Sequence, residues 1–396
     1  MSGQQKKNIG VIMYSSPEYY PPVLCALTLL SREFNIVVVC RNFDRPAQAY
    51  PENVRLYRVG SEGAPQQKQS QSQFLKIMEY LVFIARAIFY IRSRRCRFVY
   101  SYDMHGFVAG FFASRFGRRL PLLYHNHDLH PTRQKLGLSR AVKALEVFFA
   151  RRADKVVFPS RNRAWFYHRD ARLRQLPEIV MNAPLRKADI PPNALRQVFA
   201  ARGIAGDTKA VVYLGKANEA HAIPEIIRSM PHWPERTVFV LLRFASEEFS
   251  VQIEEEAGSL GLAGRLIQIP PVPYAEVFSY IAGAHLGLAF YKKEDINMGF
   301  MAGASNKIFE YMSMGVPVIS DGSADIRGVF DSTLMYFVND CSPREIAGAV
   351  NAAFSDEAEY KRKSQACRQA HLEKFNYEIQ FKPVQEFIRC SIGGRA

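Results

Sequence analysis

The stretch GASNKIFEYMSMGVPVIS, Gly303 to Ser320, decides the fold of its half of the chain. Small residues give way to Ser305, Asn306 and Lys307. An apolar helical run follows with one acid, Glu310. Gly315 then stops the helix, and VPVIS reads as a buried strand. Helix, glycine and apolar strand are half of a parallel α/β repeat. Free amides at the helix start, with Ser305 and Lys307, form an anion site suited to a diphosphate. Glu310, about one turn in, can accept hydrogen bonds from two sugar hydroxyls. The plainer reading is a capped helix, with Ser305 as cap and Glu310 in solvent.

Working outward, the same rhythm fills the chain. KAVVYLG, TVFVLLRF, GRLIQIPP and HLGLAFY precede the stretch as strands, with helical segments between them. Upstream, NIGVIMYSS, NIVVVCR, RFVYSYD, RLPLLYHNHD and ADKVVFPS form a first set. The expected architecture is α/β, with two doubly wound parallel-sheet domains of Rossmann-like type facing a central cleft. The expected boundaries are 1–185, a proline-containing linker at 186–206, a second domain at 207–375, and a helical tail at 376–396. Ligands of such sheets bind beyond the carboxyl ends of the strands, so strand-end residues are the ones to weigh.

The chain has 396 residues and a formal charge of +15. Residues 1–185 hold 29 Lys and Arg against 12 Asp and Glu, so the excess lies in the first half. A basic half attracts an anionic partner, or is a solvated surface. No helix-turn-helix, zinc or aromatic RNA-binding motif points to nucleic acid. The six cysteines show no CxxC or metal spacing, which fits reduced thiols in a cytoplasmic protein. The N-terminal apolar run is too short for a signal peptide.

Gln73–Arg97 reads as an aromatic helix ending in Arg92, Arg94, Arg95 and Arg97. Glu79 and Arg86 argue against a membrane span. Two readings stand. The arginines sit among anionic headgroups with Phe83, Phe89 and Tyr90 at the interface. Otherwise the helix packs on the sheet and has a basic end.

SNKIFEYMSMGVPVIS resembles the donor-binding signature NKxFEYMxxGxPVI of the GT-B glycosyltransferases of the family 4 type (glycosyl transferase group 1). GLAGRLIQIPPVPYAEVFSYIAGAHLGLAFY and VMNAP are similar to other segments of that family. The resemblance covers about residues 204–330 and, more weakly, the first domain. It implies retaining transfer of a sugar, of the hexosyl type, from a nucleotide sugar to a hydroxyl acceptor. It also implies that neither a metal nor another cofactor is needed. On it, Glu310 binds the nucleotide ribose, and Gly303, Ser305, Asn306 and Lys307 line the diphosphate. The family's GRxxxxKG matches GKANEAHA. Lys216 keeps the first cation, His221 stands in place of the Lys, and Ala222 replaces the Gly. Arg243, at a strand end, is a candidate to supply the missing charge; a structural ion pair is its plainer role.

An acid that many relatives carry eight positions before the ribose Glu is Ala302 here. It normally holds the transferred sugar. In the first domain, YHNHDLHP contains His125, His127, Asp128 and His130. His127 matches a family histidine near the reacting carbon, with Asp128 to fix its tautomer. Asp103 is a second catalytic candidate, for acceptor hydroxyls. Metal ligation by the histidines is a lesser reading, as is a purely structural His127. The basic, aromatic first domain suits a lipid-linked saccharide acceptor. That places the enzyme peripherally on the inner face of the cell membrane, in cell-surface polysaccharide synthesis. Ala302 and His221 keep open a non-catalytic subunit that binds a nucleotide sugar or a partner enzyme. A nucleotide-sugar epimerase on the same fold is a further alternative.

Overall fold

Apolar runs of four to eight residues, bounded by turns and interleaved with helices, build two parallel sheets. The computed structural model describes residues 6–43, 48–62, 72–130, 137–244 and 246–393. The first elements are β1 Asn8–Met13, α1 Pro21–Ser31, β2 Asn35–Arg41, β3 Val54–Val59, α2 Gln73–Ser93 and β4 Val99–Tyr102. Next come α3 Asp103–Arg115, β5 Leu122–His125, α4 Gly137–Ala150, β6 Lys155–Phe158, α5 Arg161–Asp170 and β7 Glu178–Ile179. Then follow α6 Leu195–Ala201, β8 Lys209–Lys216, α7 Ile223–Ser229, β9 Thr237–Phe244, α8 Glu247–Ser259, β10 Leu266–Ile269 and α9 Tyr274–Ile281. The next elements are β11 Leu286–Ala289, α10 Ile296–Gly299, α11 Asn306–Ser313, β12 Val318–Asp321, α12 Ala324–Arg327 and β13 Met335–Val338. The chain closes with α13 Pro343–Ser355, α14 Glu357–Glu373 and α15 Tyr377–Gly393.

The chain divides into two units. Unit 1 is Met1–Met181 with Tyr377–Ala396. Its seven strands run in the order β3-β2-β1-β4-β5-β6-β7, and neighbours pair in parallel. The crossover helices α2, α3 and α4 are neighbours, α2 packing on α3 and α3 on α4. The last helix, α15, packs against α1. Unit 2 is Asn182–Asn376, with six parallel strands in the order β10-β9-β8-β11-β12-β13. Its strand order reverses between β8 and β11, and α11 starts beyond that switch point.

Gly287 in β11 is needed for that placement. A Cβ there would lie 2.4 Å from the Tyr311 ring, whose hydroxyl donates to Val212 O at 3.1 Å. The glycine thus lets α11 rest directly on the sheet.

Several elements depart from the expected pattern. β3, VRLYRV, is an edge strand whose arginines hide its apolar residues from a hydrophobic scan. β7 and β13 are too short to stand out as apolar runs. Residues 186–206, expected as a linker, carry α6 and fall in unit 2. The expected tail at 376–396 is not a free appendage. Tyr377, Phe381, Val384 and Ile388 of α15 are buried in unit 1.

Candidate donor site in unit 2 and a histidine cluster in unit 1

In unit 2 the chain brings the opening motif's polar residues together around the start of α11. Ser305 occupies the N-cap position, but its side chain caps no amide. Its hydroxyl is instead bonded to Tyr291. The first-turn amides therefore lack a side-chain cap, contrary to the plainer reading of Ser305. Asn306 Oδ1 is buried and has no partner among the described residues. Such an orphaned group costs free energy unless something occupies the site.

Lys307 and Glu310 are both buried, so Glu310 is not the solvated side chain of the plainer reading. The Lys307 ammonium donates to Tyr213 Oη at 2.9 Å and lies 4.4 Å from that ring's centre. Burial pulls its pKa down to about 7, with Glu310 acting weakly in the opposite sense. Burial pushes the Glu310 carboxyl up to about 7, against a hydrogen bond from Tyr274 and the charges of Lys307 and Lys187. Among the described ion pairs the two do not meet, so each stays available to a ligand. Gly215, at φ +103°, turns β8 beside the Lys307 chain: a Cβ there would sit 3.8 Å from Lys307 Cε.

His221 is also buried, and its Nδ1 lies 2.6 Å from Asn218 Oδ1. Burial, then Lys307 and Lys216, lower its pKa to about 3, so the ring is neutral. The charges of Lys307 and Lys216, which add to the effect of burial on His221, would also attract a diphosphate. Tyr213 links the parts by donating to Lys216 O at 2.7 Å. Ala222 adopts φ +57°, a left-handed conformation that explains a glycine at this place in the resembling motif. Arg243 pairs with Gly215 in β8–β9 register, and its side chain lies outside the described residues.

Sequence reasoning missed three supports. Asn182 fixes the loop before α11: its amide donates to Gly303 O at 2.9 Å and its Nδ2 to Ala304 O at 2.8 Å. Lys187, placed in the expected linker, faces Glu310 electrostatically. Asp325, in α12, accepts from the Ala302 amide at 2.7 Å. A carboxylate thus stands beside the position whose side chain lacks one. The VMNAP motif pointed to Asn182; no local pattern pointed to Asp325.

In unit 1, β4 and β5 bring Asp103 and His127 together. Asp103 begins α3 at φ +52°. Its Oδ1 accepts from the His127 amide at 2.9 Å and faces His127 Nδ1 at 3.3 Å. Burial works against the Asp103 charge, yet His127 holds its pKa below the ordinary value. Asp103, not Asp128 as expected, is therefore the group that orients the imidazole. Asp128 is 3.3 Å from Arg163, whose guanidinium also bonds His127 O. His127 Nε2 is buried with no partner among the described residues. His125 is fully buried, with Nδ1 2.8 Å from Tyr100 Oη, and burial keeps its ring neutral. Among the described residues no three His, Cys, Asp or Glu side chains are grouped to hold a metal ion.

The arginines at the end of α2 differ in their surroundings. Arg92 donates to Arg118 O and Ala113 O, each at 2.8 Å. Arg94 lies 5.3 Å over the Tyr57 ring, and Arg95 takes φ +51° in the turn. Arg97 is exposed. Phe83, expected at an interface, is wholly buried in the core. No described helix is long and apolar enough to cross a membrane.

Residues 26–203 match the family model described as a glycosyl transferase 4-like domain, and residues 242–385 match one described as glycosyl transferase-like. No curated protein matches the sequence. Solved structures share the fold at low identity. Anabaena HepE in complex with UDP is 16% identical, with 96% of this chain and 99% of that chain covered and a TM-score of 0.72. HepE was also crystallised with UDP-glucose. Sucrose-phosphate synthase from Thermosynechococcus elongatus is 14% identical over 97% of this chain and 99% of that one, at a TM-score of 0.72. WaaG, a glycosyltransferase involved in lipopolysaccharide biosynthesis, is 14% identical over 96% and 99%, at 0.66.

Proposed function

We propose that this chain, which belongs to the family 4-like GT-B glycosyltransferases (glycosyl transferase group 1), moves a hexosyl group from a nucleotide sugar to a lipid-linked saccharide with retention of configuration. The observation that carries the donor half is the buried Lys307 beside the uncapped start of α11, with Glu310 one turn on. The α11 amides, Lys307 and Lys216 neutralise the diphosphate as its bond to C1 breaks, without a metal ion. Arg243, near the end of β9, is the candidate for a third cation. Glu310 takes the ribose hydroxyls. The acceptor oxygen bonds to C1 from the face the diphosphate leaves, and the acceptor's proton passes to the departing phosphate oxygen. His127, oriented by Asp103, offers Nε2 to the sugar or acceptor. Asp325 supplies the carboxylate that Ala302 does not.

The basic first half and the likeness to WaaG support an acceptor held at the cytoplasmic membrane face, in cell-surface polysaccharide synthesis. One observation favours a second reading. Ala302 has no acid to hold the sugar, as in a subunit that binds a donor without using it. A panel of nucleotide sugars, headed by UDP-glucose, separates the two. Thermal shift finds the donor, since a ligand stabilises the native state as its concentration exceeds Kd. Product analysis then follows the sugar and its anomeric configuration. Consumption of the donor with retention supports transfer. Stabilisation without transfer or hydrolysis supports the second reading, and no stabilisation by any member overturns the donor site.

A further inference from the structure

Residues 182–193 form no helix or strand, yet Lys187 within them faces Glu310 of α11. A coil has no ladder of its own, so the place of Lys187 comes from what bonds its backbone. Two residues in the last turns of α14 do so. The Lys187 amide donates to His371 Nε2 at 3.0 Å, and Ala188 O accepts from Arg368 Nη2 at 2.7 Å. Arg368 Nη1 also donates to Ser313 O at the end of α11, and α14 packs on α11. One helix thus holds both the segment that carries Lys187 and the helix that carries Glu310. Beyond the backbone, the Lys187 ammonium lies 3.9 Å from the centre of the buried Phe278 ring. Tyr274, one turn earlier on α9, meets that ring edge to face at 5.3 Å and hydrogen-bonds the Glu310 carboxyl.

The chemistry of His371 suits this contact. The ring is wholly buried, and its Nδ1 faces Phe375 O at 2.9 Å, an oxygen that can only accept. The ring proton therefore sits on Nδ1, and the Nε2 lone pair is left for the Lys187 amide. Only a neutral imidazole can do both. Burial lowers its pKa to about 4, helped by the charges of Arg368, Lys187 and Arg186 and opposed by the Phe375 bond. Asn376 Nδ2 donates to His371 O at 2.9 Å and fixes the end of the helix. An apolar side chain would fill this place without the cost of burying a polar ring, so the two bonds are what the histidine adds.

We propose that His371 is a positioning residue of the donor site: by holding the Lys187 amide it sets the ammonium that faces the Glu310 carboxylate where the ribose hydroxyls bind. The proposal rests on the ribose role of Glu310. Three groups face that carboxyl: Tyr274 of α9, Lys307 of its own helix, and Lys187. Burial works against its charge, and all three favour it. A carboxylate can accept from two hydroxyls, whereas the acid gives up part of that capacity to its own proton. Lys187 thereby raises the fraction of the protein ready for a ribose near neutral pH.

The test titrates Glu310 in the unliganded full chain by carbon NMR of labelled glutamate, with Glu310→Gln assigning the signal. His371→Asn keeps a donor for Phe375 O but is too short to accept from the Lys187 amide. It and Lys187→Met should each move the titration up by at least about 0.5 pH unit, and together no further than the larger of the two. His371→Gln, which keeps an acceptor within reach of the amide, should restore most of the wild-type behaviour. A shift of that size means about threefold weaker binding of UDP-glucose at pH 6 and little change at pH 8, where Glu310 is largely ionised in every variant. Circular dichroism checks the fold. Should His371→Asn not fold, Arg368→Met at a half-buried position loosens the same segment and should give the same shift. An unchanged Glu310 titration in Lys187→Met, in a folded His371→Asn, or in Arg368→Met where it stands in, overturns the proposal. The nucleotide-sugar panel judges the donor site separately: the shift without binding of any member removes the ribose role, while binding without the shift removes only the role of His371.

Discussion

Glu310 and Lys307 bury opposite charges in unit 2 without pairing, and both titrate near neutrality. The folded chain keeps a proton on Glu310 between the ordinary 4.5 and about 7, which the unfolded chain has lost, so stability falls as pH rises through that window. Lys307 runs the other way. Between about 7 and the ordinary 10.5 the unfolded chain holds the extra proton, so stability rises with pH there. The unliganded protein should therefore show a dip in Tm near neutral pH, and Glu310→Gln with Lys307→Met should flatten it. An unchanged dip in the double variant places its origin elsewhere. Ala222 offers a second test at this scale. Its left-handed backbone costs roughly 1 kcal/mol that a glycine avoids, partly offset by glycine's greater freedom when unfolded. Ala222→Gly should leave stability equal or up to about 1 kcal/mol higher in urea unfolding; a clear loss contradicts this account. Ser305, Lys307 and Glu310 were legible in the sequence because a helix start declares itself locally. Asp325 was not, because it reaches Ala302 across 23 residues through the fold.

At the scale of elements, the strong apolar strands were readable from composition alone. β3 and β13 were not, since an edge strand carries arginines and a four-residue strand leaves too little pattern. The short α12 matters most among the missed elements, because it presents Asp325 to the loop before α11. Asp325→Asn keeps the shape and an acceptor for the Ala302 amide but removes the charge. With the sugar held by that carboxylate, turnover should fall about 100-fold while affinity for the bare nucleoside diphosphate stays within about threefold. Full turnover in Asp325→Asn returns the sugar contact to the backbone amides of the loop.

For the whole molecule, two similar parallel-sheet units were legible from the repeated strand and helix rhythm. The return of α15 to unit 1 was not, because a C-terminal amphipathic helix does not announce which core it will join. The packing shows why it joins there: Phe387 meets Phe98 at 6.0 Å, and Arg389 forms a two-pronged pair with Glu33 at 2.5 Å. Ending the chain at Asn376 should expose the unit 1 core. The truncated protein should unfold in two steps with unit 1 lost first, as followed by hydrogen exchange, whereas equal protection of both units would deny α15 this role.

The donor groups, Lys307 and Glu310, lie in unit 2, and the oriented imidazole of His127 lies in unit 1. The most direct test compares turnover with nucleotide affinity in two variants, once the donor is known. His127→Ala should keep nucleotide affinity within about threefold and lose about 100-fold in transfer. Glu310→Ala should lose at least about tenfold in affinity by calorimetry, about 1.4 kcal/mol. Undiminished transfer by His127→Ala, or unchanged nucleotide affinity in a folded Glu310→Ala protein, would contradict the account.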